Sequence, residues 1–209
     1  MTLDAGSTRL AGLLRGRPGR TVCAVAGAPG SGKSTLADAV VERLNAEAAG
    51  TAALLPMDGF HFDDLHLVPA GLRPRKGAPD TFDVGGLRSA LLRVREASEP
   101  FVAVPVFDRS LEIARAGARL IPRETPVIVC EGNWLLLDAD PWASLAPLWD
   151  LTVMVEVPEA ELRRRLRRRW QGFGLAEDEI AWKLDGNDLP NGRLCYDGSR
   201  RADVTLGSR

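Results

Sequence analysis

The segment Gly27-Ala-Pro-Gly-Ser-Gly-Lys-Ser34 fits the spacing G-x-x-x-x-G-K-[ST]. Glycines let the backbone curl so that several amide N–H groups turn inward toward phosphate oxygens, and a helix that follows adds its positive end. In such a loop Lys33 reaches the β- and γ-phosphates and the Ser34 hydroxyl ligates Mg²⁺. Gly27, Ala28, Pro29, Gly30, Ser31, Gly32, Lys33, Ser34 and Thr35 are therefore the expected contacts of the ATP phosphates. Only three lysines occur in the chain, so Lys33 is not one charge among many on a lysine-rich surface.

A loop of this kind needs a strand to deliver it and a helix to follow it, and both are legible. Thr21 to Ala26 (TVCAVA) is short, apolar and rich in β-branched residues, as a buried parallel strand is. From Ser34 onward Leu36, Val40, Val41, Leu44 and Ala48 recur near helical spacing, and Gly50 supplies a stop. Ala52 to Pro56, Phe101 to Val106, Pro126 to Cys130 and Leu151 to Val157 read as further strands, with Ala202 to Leu206 as a last edge strand. Helices are predicted around Leu87, Leu91 and Val94 with Asp83 as N-cap, and around Trp142, Leu145 and Leu148 with Asp140 as cap and Pro141 in the first turn. Two more run from Glu159 through an arginine-rich stretch and over Ala176 to Leu184, while Met57 to Asp83 reads as loop. This alternation predicts an α/β fold with a mainly parallel sheet of about five strands, wrapped on both faces. Ligands bind beyond the carboxyl ends of the strands in such sheets. The segments Gly27 to Ser34, Asp58 to His61, Phe107 to Arg109 and Glu131 to Asn133 thereby become the candidate site.

The 209 residues suit a single domain, 1–209, with a helical segment at 1–20. Apolar residues at 45% and charged residues at 26% are those of a soluble globular chain, and a net charge of −1 provides no overall field for nucleic acid or an anionic membrane. No run approaches the roughly 18 apolar residues of a spanning helix, and Met1 to Arg20 lacks the apolar core of a secretory signal. Cys23, Cys130 and Cys195 are odd in number and widely spaced, which argues against a disulfide framework or a zinc site. Reduced, buried thiols in a cytoplasmic protein are expected, with neither nucleic acid nor membrane insertion; assembly into a homodimer stays open.

Pro56-Met-Asp58-Gly59-Phe60-His61, Arg75-Lys76-Gly77-Ala-Pro-Asp80-Thr-Phe82-Asp83, Pro105-Val-Phe107-Asp108 and Cys130-Glu131-Gly132 follow the phosphate loop in that order. With them the chain resembles the phosphoribulokinase, uridine kinase and pantothenate kinase family from about Val22 to Leu206. Within it, the chain is most similar to short bacterial kinases named for a fructose transport system. The resemblance implies a P-loop NTPase three-layer α/β/α sandwich with a helical lid near 160–185. It also implies transfer of the γ-phosphoryl group of ATP to a small alcohol, with a sugar favoured.

The resemblance implies, too, that Asp58 either takes the proton of the attacking hydroxyl or helps hold metal-bound water. Glu131 would hold Mg²⁺ together with Ser34, or orient the substrate. Arg165 and Arg169, among the six arginines of Arg163 to Arg169, match the family's lid arginines and join Lys33 and Asp58 as the catalytic set. Helical geometry turns Leu162 and Leu166 inward and sets Arg165 and Arg169 one turn apart, with Gly172 and Gly174 as hinge. The acceptor is assigned to His61, Arg75, Lys76, Asp80, Phe107, Asp108, Arg109 and Glu131, with Arg73 beside them and Asn187 as a nucleotide contact. No histidine follows Phe107-Asp108, which counts against uridine. Pantothenate or another nucleoside is the alternative acceptor. A rival from another class is a non-catalytic regulator of a transport system that changes shape with nucleotide.

Overall fold

The short apolar runs of the sequence form strands β1 (Thr21–Gly27), β2 (Ala52–Pro56), β3 (Phe101–Asp108), β4 (Ile113–Pro122), β5 (Val127–Gly132), β6 (Leu151–Glu156) and β7 (Val204–Gly207) in a computed structural model describing residues 2–207. Five of them make one sheet in the order β2-β5-β1-β6-β7, with every neighbouring pair parallel. The helices are α1 (Leu3–Leu14), α2 (Lys33–Glu47), α3 (Asp64–Leu67), α4 (Val84–Glu96), α5 (Glu159–Gly172), α6 (Glu177–Lys183) and α7 (Leu189–Asp197).

Successive side chains of β1 point to opposite faces, and both faces are covered. Val22, Ala24 and Ala26 pack with Leu87 and Leu91 of α4. Cys23 and Val25 pack with Leu10 and Leu14 of α1 and with Leu36, Val40 and Leu44 of α2. Two buried faces explain why the central strands read as unbroken apolar runs. The architecture is thus the expected α/β sandwich around a parallel sheet. Asp83 caps α4 as predicted, accepting from the Gly86 N–H at 2.7 Å. All three cysteines are buried, and none of them forms a disulfide. No helix among the described residues is long and apolar enough to cross a membrane.

The strand read at Phe101 to Val106 does not join the sheet; β3 pairs with β4 alone, as an antiparallel hairpin. Val102 and Val104 are buried whereas Phe101 and Ala103 are exposed, the alternation of a strand with one covered face. Pro105 lacks an N–H, and the ladder shifts register between Val104 and Val106. Strand β4 was not anticipated because nearly all of it is exposed and Gly117 sits inside it. Trp142–Leu148 is a 3₁₀ turn containing Pro147, not a helix capped by Asp140. Helix α7 was hidden by Pro190 and Gly192. Pro190 falls in its first turn, where the missing N–H costs nothing. Gly192 lets α7 close on the phosphate loop, since a Cβ there would already touch the Ala28 methyl at 3.4 Å.

The hairpin also bears on the turn that carries Asp58. A Cβ added to Gly59 would stand 2.3 Å from the Pro105 carbonyl oxygen, so one backbone must move. Gly59→Ala is expected to cost about 1–3 kcal/mol, the range for overpacking. Urea denaturation checks this, and an unchanged midpoint would show that the hairpin yields freely.

Candidate active site

Strand register brings the chemical groups together before any side-chain contact is considered. In the sheet Glu131 pairs with Pro56 of β2 on one side and with Val25 of β1 on the other. The three chains therefore leave the sheet at one level. They deliver Asp58 in a 3₁₀ turn (Met57–Phe60), Glu131 at its strand end, and the loop that runs to Lys33.

Gly30 and Gly32 adopt φ of 79° and 88°, which other residues rarely reach, and Gly32 opens α2. The Ser34 hydroxyl donates to Glu131 Oε2 at 2.8 Å, and Glu131 is only 4% exposed. Arg109, from the β3–β4 turn, donates to Asp58 Oδ2 at 2.6 Å. Burial pushes the Asp58 carboxyl up, but the electrostatic influence of His61, Arg109, Lys33 and Arg169 opposes it, and the net shift is downward. Glu131 moves the other way. Burial and the Asp58 charge raise it, against Lys33, the Ser34 bond and Arg109. The pKa values of the two carboxyls are thus driven in opposite directions, with Asp58 the one facing more of the cations.

Lys33, Ser34, Asp58, His61, Arg109 and Arg169 line a cleft of about 670 Å³, with Glu131 buried behind Ser34. His61 forms part of its wall, with ring centroids 4.0 Å from Phe82 and 4.8 Å from Phe107. Its Nδ1–H donates to the Asp58 carbonyl at 2.8 Å, which leaves Nε2 as an acceptor on the neutral ring. Burial lowers the His61 pKa and Lys76 and Arg109 add to that, while the Asp58 charge and carbonyl oppose it. Lys76 is 7% exposed at its side chain and donates to Asp64 Oδ1 at 2.9 Å and to the Glu112 carbonyl at 2.8 Å. All three lysines of the chain, Lys33, Lys76 and Lys183, line this one cleft.

Arg165 and Arg169 line it as well, in different ways. Arg165 donates to the Ser31 carbonyl at 3.1 Å and to Glu161 at 2.7 Å, so it clasps the outside of the loop. Arg169 is half-buried, and desolvation with Arg109 nearby lowers its pKa against the pull of Asp58, Asp188 and Glu112. Leu166 between them lies over the loop, within 2.9 Å of where a Gly30 Cβ would be. Gly27, Ala28 and Ser31 are buried beneath. Arg73, Phe107 and Asn187 reach the cleft, as anticipated.

Four anticipated acceptor contacts are not brought there: Glu131 is buried behind Ser34 rather than on the cleft wall, and three others turn away. Arg75 and Asp80 pair with each other at 3.3 Å on the exposed side of their loop. Asp108 is spent on its own turn, accepting from the Ser110 N–H at 3.0 Å and pairing with Arg115 at 3.1 Å. Conversely, Glu112, Trp170, Lys183, Asp188 and Asn191 line the cleft without having been anticipated. The scarcity of lysine, which singled out Lys33, marks Lys183 equally.

No family model matches the chain. It is 36% identical over 189 residues to YggC, an uncharacterized protein of Escherichia coli K12, covering 90% of this chain and 77% of that one. A proposed uridine kinase of Schizosaccharomyces pombe is 31% identical over 182 residues, 82% of this chain and 76% of its own length. The crystal structure of a proposed fructose transport system kinase of Silicibacter sp. TM1040 superposes with a TM-score of 0.88 at 42% identity, over 99% of this chain and 100% of that one. The chain belongs to the phosphoribulokinase and uridine kinase family of P-loop kinases. It is accordingly a phosphotransferase with the P-loop kinase fold.

Within this kinase the carboxyl pair gives a direct check. Asp58 should titrate below the usual aspartate range and Glu131 above the usual glutamate range. Asp58→Asn removes a negative neighbour, so the Glu131 pKa should fall. Carbon-13 NMR of labelled carboxyls reads both, and an unmoved Glu131 would mean that the two groups do not sense each other.

Proposed function

We propose that the protein is an ATP- and Mg²⁺-dependent kinase that moves the γ-phosphoryl group to a hydroxyl of a small acceptor, with a sugar favoured. The observation that carries this reading is the shared level of the loop, Glu131 and Asp58 at adjoining strand ends. A nucleotide-binding switch needs the first of these; only transfer chemistry needs a carboxylate such as Asp58 across from it.

The amides from Gly27 to Thr35 and the Lys33 ammonium would take the phosphates. The Ser34 hydroxyl and the Glu131 carboxylate form a pair of hard oxygen donors 2.8 Å apart, a set that suits Mg²⁺. The ion, when bound, would offset charge on the transferred group. Asp58 would accept the acceptor's hydroxyl proton. Its Oδ2 is held by Arg109, whose side chain is 48% exposed at a hairpin turn and so is free to give way to the acceptor. Arg169 would neutralise charge in the transition state, and Arg165 would hold the loop closed. Residues near 160–185 act as the lid, with Gly174 at φ 75° as a hinge. A second groove of about 580 Å³ shares Gly32, Thr35 and Arg165 with the first and runs to Leu206; it has room for the nucleoside. The acceptor then takes the other side, toward His61, Lys76 and Phe107. Similarity to a kinase named for a fructose transport system supports a sugar. Three buried cysteines outside any disulfide fit a cytoplasmic setting.

ADP release measured against a panel of sugars, pantothenate and nucleosides tests the reading. An enzyme that no acceptor accelerates beyond its rate in water would instead fit the regulator. Asp58→Asn should keep MgATP affinity and lower turnover by about 10² or more; equal turnover would remove Asp58 from the mechanism. Lys33→Ala should abolish most activity with the fold intact, and full activity would contradict the phosphate role.

A further inference from the structure

One buried carboxylate in the cleft has no part in the scheme above. Asp188 is 8% exposed and ends a π-helical turn, Leu184–Asp188, a local widening that recurs at functional sites. Its Oδ2 accepts from Trp170 Nε1 at 2.7 Å, and among the described residues it forms no ion pair. Arg169 and Lys183 offset part of its burial cost from beyond ion-pair distance, and a single indole N–H leaves the carboxylate with acceptor capacity for a ligand. Beside it stands a wall of amides. Asn191, also 8% exposed, donates to Asn187 Oδ1 at 3.1 Å, and Asn187 in turn donates to the Lys76 carbonyl at 3.2 Å. Asn133 lines the same cleft with an Oδ1 that has no hydrogen-bond partner.

The cations of the cleft point the same way. Arg73 and Lys76 are held by Asp64 at 2.6 and 2.9 Å, Arg109 by Asp58 at 2.6 Å, and Arg165 by Glu161 at 2.7 Å. Only Lys33, Arg169 and Lys183 line the cleft without an ion pair among the described residues. A triphosphate draws on these three, and the remaining cations of the acceptor side, Arg73, Lys76 and Arg109, already face Asp64 and Asp58. A second anion would face Asp58, Glu112 and Asp188 instead.

We propose that Asp188 determines acceptor specificity: its carboxylate accepts hydrogen bonds from the hydroxyls of a neutral polyhydroxyl compound, with Asn191 and Asn133 lining the same cleft, and disfavours acceptors bearing a carboxylate or phosphate. This rests on the kinase reading and names the chemistry of its acceptor. The asymmetry is physical, because a carboxylate gains charge-assisted hydrogen bonds from hydroxyls and only repulsion from anions.

The test uses the full chain with MgATP and measures ADP release against D-fructose, D-ribose and glycerol on one side and D-glycerate, pantothenate and fructose 6-phosphate on the other. A neutral polyol should be the best substrate. Asp188→Asn keeps an oxygen for the Trp170 N–H, and it should raise the KM for that polyol about 10- to 100-fold, the scale of a lost charge-assisted hydrogen bond. Its kcat and MgATP affinity should change little. Trp170→Phe separates reading from anchoring, since it removes the indole N–H and leaves the carboxylate. A smaller loss of acceptor affinity in that variant supports the proposal; an equal loss means that Asp188 merely anchors Trp170. An anionic best substrate, or an unchanged KM in Asp188→Asn, overturns it. Failure of every acceptor to exceed the rate in water would instead sink the kinase reading, an outcome distinct from an active enzyme indifferent to Asp188.

Discussion

Parallel register across β2, β5 and β1 is the constraint on which the rest of this structure depends. A slip of one residue in any of the three would turn its side chains to the opposite face, and Glu131 would no longer meet Ser34. The contact matters because Glu131 lies beneath the loop, where a charge without partners is costly by several kcal/mol. The Ser34 hydroxyl and the field of Lys33 offset part of that cost. The apolar faces on both sides of the sheet supply the remaining stability. The core therefore holds in place an arrangement that the polar groups would not adopt alone.

Around this centre three distant segments close on one cleft, and Lys76 links them. Its ammonium joins the start of α3 through Asp64 to the hairpin turn through the Glu112 carbonyl, while its own carbonyl receives Asn187 from the turn before α7. Glu112 sits at φ 56°, a conformation that non-glycine residues adopt only when their surroundings hold them. The bond from Lys76 is such a restraint. Arg109, three residues earlier in the same turn, owes its reach to Asp58 to this arrangement. Hairpin, loop and lid-side wall are thus mechanically connected at the acceptor end, whereas the phosphate loop is built from local backbone.

That contrast explains what the sequence made legible. The phosphate loop could be read because its function lies in contiguous glycines, and Asp58 and Glu131 because each follows a recognisable strand. The acceptor wall could not. Asp188 and Asn191 lie near Pro190 and Gly192, whose usual meaning is the end of structure, and only packing against Ala28 shows why a helix tolerates them. Arg73 and Lys76 reach the cleft while Arg75 between them does not, a choice made by the 3₁₀ turn at Arg73–Arg75 rather than by residue type. For β3, Phe101 to Phe107 is apolar throughout, so only Pro105 spoke against a central strand, and the one-sided burial of Val102 and Val104 appears in the structure alone.

Lysine usage carries more information than a single motif does. On its outer surface this protein makes its ion pairs with arginine, as in Arg93 with Glu99 and Arg193 with Glu159. A guanidinium fork suits paired carboxylates, while an ammonium is a compact charge that can turn among several acceptors. Each lysine occupies a place that favours the second kind of group: Lys33 in the phosphate loop, Lys76 among a carboxylate, a carbonyl and the Phe107 ring, and Lys183 4.7 Å above the Trp170 ring. They stand on three different walls. In a chain with 27 lysines and arginines, such confinement of the three lysines brings the phosphate loop, the loop at Lys76 and the helix at Lys183 to one cleft.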